Sequence, residues 1–189
     1  MRYFRNEKEI LDLVAAFETA TIAREDWRHA EHLAVGLFYA EKHGLEEGTE
    51  MMRSGIIRLL EKGFGVDLSK EMPYHETITV FWMRTAYAFL LMTRVASTVE
   101  RTNALIAAFD KDFPLRFYSR ERLFSEEARA KYISPDLFQE GSLEEEIHRS
   151  LIPAKPSSVR ADPRNGPARH AIGNLTFGCS TSPMNDPPH

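Results

Sequence analysis

An all-α fold, a compact up-down helical bundle with extra short C-terminal helices and a tail, is what this 189-residue sequence predicts. Three observations carry that expectation. Apolar residues recur at helical spacing, and no stretch sustains the period-two alternation of a half-buried strand. Polar residues that cap helices stand at regular points: Asn6 ahead of Glu9, Ser97 ahead of Glu100, Ser125 before Glu126 and Glu127, and Ser142 ahead of Glu145. Finally, seven of the ten prolines fall after residue 150, where Lys155, Arg160, Arg164 and Arg169 outnumber Asp162 and Asp186. Those counts divide the chain into a helical domain over 1–150 and a Pro-rich tail over 151–189. The tail has too little apolar surface to repay ordering and is expected to be disordered.

The first helix opens at the Asn6–Glu9 pair and runs to about Ala20, with Ile10, Leu13, Val14 and Phe17 on one face. A second is expected from about Ala23 to His43, stopped by Gly44 at the position a left-handed cap favours. The third spans about Leu45 to Lys62 and ends at Gly63, after which Gly65, Asp67, Ser69 and Pro73 read as loop. The fourth covers about Tyr74 to Val95. A shorter helix follows from Ser97 to about Phe109, and Ser125 and Ser142 start two more. The second and fourth helices are apolar around most of their circumference, the pattern of helices enclosed by neighbours. With short connections, alternate helices of a bundle run parallel, so the beginnings of these two belong at one end.

That end is where the histidines collect. His29 and His32 share a face of the second helix, with Asp26 one turn before them, and His75 and Glu76 open the fourth. The first helix brings Glu18 toward the same end. Three imidazoles with an open coordination position suit a catalytic divalent transition metal, zinc or iron above others. The expected ligand set is therefore His29, His32 and His75, with Glu18 and Asp26 as carboxylate candidates. Glu76 and Tyr74 are the candidate catalytic groups beside it. The alternative keeps these side chains structural: Glu76 is favoured by the helix dipole, and the histidines hydrogen-bond loop carbonyls.

Composition narrows the classes further. A formal charge of −4 argues against a nucleic-acid or anionic-membrane binder. The single Cys179 excludes an intramolecular disulfide framework. Ile78 to Met92, interrupted by Arg84, is too short and too polar for a membrane span, and the polar N-terminus does not read as a signal peptide. A cytoplasmic location is the expectation. Arg84 and Arg94 interrupt an apolar helix and are expected to need carboxylate partners. Arg116, Arg120 and Arg122, beside Phe117 and Tyr118, are read as surface cations neutralised by Glu121, Glu126 and Glu127. No phosphate-binding glycine loop or serine-nucleophile elbow occurs.

Three blocks, Trp27-x-His29-x-x-His32-Leu33, Tyr74-His75-Glu76-Thr77-Ile78-Thr79, and Tyr118-Ser119-Arg120-Glu121-Arg122-Leu123-x-Ser125-x-x-Ala128-Arg129 closing on Pro135-Asp136-Leu137, resemble a small, largely uncharacterised family of bacterial helical proteins. The resemblance spans nearly all of the helical domain and stops near Pro153. It implies the domain limits and points to the same histidines, and it names no reaction. Two functions follow. One is a metal-dependent enzyme acting on a small molecule, by hydrolysis, transfer or non-haem iron oxidation. The other is a non-enzymatic helical module that binds a ligand or a protein, with the histidines in a polar network.

Overall fold

The computed structural model describes residues 3–93, 97–137 and 142–151. Within them the protein is all-α: seven α-helices, with no strand among the described residues. The helices are α1 (Glu7–Glu18), α2 (His29–Arg58), α3 (Glu76–Met92), α4 (Thr98–Ala108), α5 (Arg120–Leu123), α6 (Glu126–Ala130) and α7 (Ser142–Leu151). The expected tail, with His170, Cys179 and His189, and the arginine at position 94 lie outside the described residues.

Local chemistry sets the boundaries. The Asn6 side chain accepts from the Glu9 amide at 3.0 Å, as the Asn6–Glu9 pairing predicts. The Glu9 carboxylate reaches past Asn6 to the Arg5 amide at 3.1 Å. Ser97, Ser119 and Ser125 cap α4, α5 and α6 in the same way. Gly44, at φ 77°, breaks α2 into two limbs, residues 29–43 and 45–58. Only glycine adopts that conformation without the Cβ–carbonyl clash, so the expected helix stop is where the chain folds back. The second limb ends in a widened π-helical turn, Leu59–Gly63.

One boundary differs from expectation. The second helix begins at His29 and not near Ala23, because residues 24–26 form a 3-10 turn and Trp27 leaves helical geometry. No side chain caps α2; Arg28 occupies the capping position without a bond. Asp26 therefore sits in the preceding turn, exposed, and not on one stripe with His29 and His32.

Two apolar cores lie on either side of the α2–α3 pair. One gathers Leu33 and Leu37 of α2 with Phe81 and Phe89 of α3, Leu105 of α4 and Phe109. Phe113, Phe117, Tyr118 and Ile147 close it from the C-terminal side. The other holds Val14 and Phe17 of α1 against Val35 and Tyr39 of the first limb, with Met52 and Ile56 of the second. Being sandwiched between cores explains why α2 and α3 are apolar nearly all round. Phe17 approaches the second limb so closely that a Cβ on Gly55 would stand 2.2 Å from its ring.

The first limb of α2 and α3 begin at the same end. His32 near one start and His75 at the other line a common cavity. At the far end Arg101, in the first turn of α4 just after α3, bonds Glu41 at 2.6 Å. The N-terminal segment is tied in as well, Phe4 and Asn103 exchanging two hydrogen bonds of 2.9 and 2.8 Å.

Candidate functional site

Between α2 and α3 lies a cavity of about 210 Å³. Its α2 wall is Leu33, Gly36, Met52 and Ile56, together with His32. Its α3 wall is Ile78, Trp82, Met83 and Ala86, with Pro73, Tyr74, His75 and Thr79 at one end. Two small residues, Gly36 and Ala86, stand in the lining. A Cβ on Gly36 would already stand 3.3 Å from the Met83 sulfur.

His32 is the polar group of the α2 wall. Its ring lies 4.0 Å, centroid to centroid, from Trp27. Among the described residues no group hydrogen-bonds either ring nitrogen of His32. Burial, reinforced by the nearby His29, pulls its pKa down to about 3, so the imidazole is neutral across the physiological range.

His75 caps α3. Its Nδ1 accepts from the Ile78 amide at 3.3 Å, and its Nε2 donates to the Leu123 carbonyl at 2.8 Å. Both nitrogens are engaged, which fixes the neutral tautomer and ties the start of α3 to α5. Burial lowers its pKa against the opposing pull of that carbonyl. His29 sits elsewhere, against Trp82 at 4.7 Å, with Nε2 at 3.0 Å from the Phe109 carbonyl. Burial depresses its pKa too, against the pull of that carbonyl and of Asp110.

The expected metal ligands are thus dispersed. Among the described residues no group of three or more His, Cys, Asp or Glu side chains is placed to hold a metal ion. His32 and His75 share the cavity, but His75 has no free lone pair and His29 serves Phe109. Glu18 accepts from the Tyr39 hydroxyl at 3.3 Å in a separate polar groove with Ser54 and Arg58, and Asp26 is exposed. This donor set does not fit a shared ion.

Glu76 and Tyr74 form a different unit from the expected catalytic pair. Arg53, on the second limb of α2, bonds both oxygens of Glu76, at 2.5 and 2.9 Å, and also pairs with Glu50. The Tyr74 hydroxyl donates to the same carboxylate at 2.6 Å. The Arg53 bonds hold the Glu76 carboxyl well below its usual range, while burial, with Glu76 beside it, pushes the Tyr74 phenol up. The carboxylate is saturated and does not line the cavity. Its work is to clamp the start of α3 to α2.

Other cations find neighbours that the residue pattern did not indicate. Arg84 is exposed and donates to the Tyr132 hydroxyl at 2.9 Å, lying over its ring, in place of the expected carboxylate. Arg116 bonds Glu146 at 3.0 Å, Arg122 bonds the Ser134 carbonyl at 2.9 Å, and Arg120 lies over Phe124. His148 faces solvent, as expected. Sequence reasoning missed Gly36, Met52, Met83 and Ala86 as cavity walls, and Arg53 as the partner of Glu76. The small residues Gly36 and Ala86 inside otherwise bulky apolar helices were the available signal.

In comparisons with known proteins, no family model, no curated protein and no solved structure matches this chain. No described helix is long and apolar enough to cross a membrane.

Proposed function

We propose that this protein is a helical module that binds a small, mainly apolar molecule in the cavity between α2 and α3. The observation that carries the reading is the cavity itself: about 210 Å³, walled by aliphatic, thioether and aromatic side chains drawn from both apolar cores. Apolar cavities of about 150 Å³ already admit benzene. The metal-dependent enzyme is the weaker reading, because its ligands are spread over separate neighbourhoods, with His29, His75 and Glu18 each engaged by a carbonyl or a hydroxyl.

Both tryptophans report on this space, Trp82 from the wall and Trp27 through its contact with His32. Toluene is the probe. It is expected to change tryptophan fluorescence saturably and to raise the melting temperature. At one hundred times Kd the stabilisation is about 2.7 kcal/mol. Gly36→Leu, which fills the space, abolishes both effects while retaining helical circular dichroism. Unchanged fluorescence and melting in the wild type would overturn the proposal. So would stoichiometric zinc or iron on elemental analysis that disappears in a folded His29→Ala/His75→Ala variant.

A further inference from the structure

The lining of the cavity restricts what can occupy it. None of its residues is Asp, Glu, Lys or Arg, so neither an anion nor a cation finds a compensating charge. Arg53 of α2 and Glu76 of α3, neither of them in the lining, bond each other. An uncharged occupant suits this lining.

Its polar contacts are equally limited. Five lining side chains carry nitrogen or oxygen: His32, Tyr74, His75, Thr79 and Trp82. The Tyr74 hydroxyl proton goes to Glu76, the Thr79 hydroxyl donates to the His75 carbonyl at 3.0 Å, and the His75 ring is engaged at both nitrogens. No described residue bonds the ring nitrogens of His32 or the indole nitrogen of Trp82, and of these two only His32 offers an acceptor as well as a donor. A neutral imidazole offers one donor and one acceptor, and which nitrogen carries the proton depends on its surroundings. A hydroxyl meets either tautomer, since it can donate to the bare nitrogen or accept from the N–H.

The remaining walls favour a ring. Two thioethers, Met52 and Met83, and the indole of Trp82 surround the space. Sulfur–aromatic and ring–ring contacts add to plain burial for a π system.

We infer that the cavity takes an uncharged aromatic ring compound bearing a single hydroxyl, which His32 selects by hydrogen bonding. This rests on the cavity being the binding site. His32 is here a specificity-determining residue, and the ring supplies the burial.

The test is calorimetric titration of the full chain with p-cresol and with toluene, which differ by the hydroxyl alone. The wild type is expected to bind p-cresol about tenfold more tightly, the worth of one net hydrogen bond. His32→Leu should reverse the order, because the hydroxyl is then desolvated without a partner, while toluene affinity stays within about threefold. His32→Gln, which keeps a hydrogen-bonding group, should retain part of the preference. Should His32→Leu not fold, the wild-type and His32→Gln comparisons decide. Toluene binding as tightly as p-cresol to the wild type overturns the inference and leaves the cavity reading standing. A preference for p-cresol that survives His32→Leu overturns the assignment to His32. Binding of neither compound overturns both.

Discussion

Three histidines sit beside apolar or carbonyl groups with burial as the leading influence on each, and the consequence is a pH dependence of stability with a definite sign. In the unfolded chain an imidazole titrates near 6.5, whereas His29, His32 and His75 all titrate lower when folded, His32 at about 3. Above the unfolded value both states are neutral and these groups contribute nothing. Below it the unfolded chain binds protons that the folded protein refuses, so stability falls as pH falls. The carboxylate Glu76 enters later, since its folded pKa is lowered from 4.5 and its share is lost only in more acid solution. The interval between 6.5 and 4.5 therefore belongs to the histidines. Each contributes at most about 1.4 kcal/mol per pH unit there. The melting temperature is expected to drop steadily between about pH 7 and pH 5, and the drop to be shallower in His32→Gln. A flat profile across that interval would mean these imidazoles are solvated and free to protonate.

At the scale of elements, the close approach of α1 to the second limb of α2 makes the sharpest prediction. Phe17 packs against Gly55, where an added Cβ would meet ring carbons at 2.2 and 2.5 Å. Phe17 is fully buried and stacks on Trp27 at 4.9 Å, so it has no room to swing away. Gly55→Ala is expected to cost about 1–3 kcal/mol through overpacking, against the gain in helix propensity the same change brings at an open position. The urea midpoint reads this directly, and an unchanged or higher midpoint would show that α1 can slide. The same contrast separates what was legible in the sequence from what was not. Caps and stops are local chemistry: Asn6, Ser97, Ser125 and Gly44 act on amides a few residues away, and their positions predict the helix limits. The start of α2 was misplaced because Trp27 leaves the helix for a tertiary reason, its contacts with Phe17 and His32. The histidine site was half legible. Helix order placed His32 and His75 at one end, yet the directions of the three imidazoles depend on the carbonyls of Phe109 and Leu123, far along the chain. Spacing on one helix carries no information about those.

Across the whole domain, the two cores share their walls. α2 sends Leu33 and Leu37 into one and Val35 and Tyr39 into the other, and α3 divides Phe81 and Phe89 from Met83 in the same way. Neither core can loosen without moving a helix that closes its neighbour, so the described residues should unfold as one cooperative unit. The two tryptophans lie toward opposite cores, Trp27 packed on one and Trp82 on the other, and report on both. Thermal unfolding followed by tryptophan fluorescence and by far-ultraviolet circular dichroism is expected to give coincident transitions. Phe109→Ala provides the stricter form of the test. It removes a fully buried ring from the first core and leaves the Phe109 carbonyl that His29 uses in the backbone. The expected loss is about 3–5 kcal/mol. If the cores are coupled, both signals move down together by the same interval. If fluorescence and circular dichroism separate, with the helical signal persisting after the indole environment is lost, then α2 and α3 hold two independent packings, and ligand entering between them would be free to stabilise one without the other.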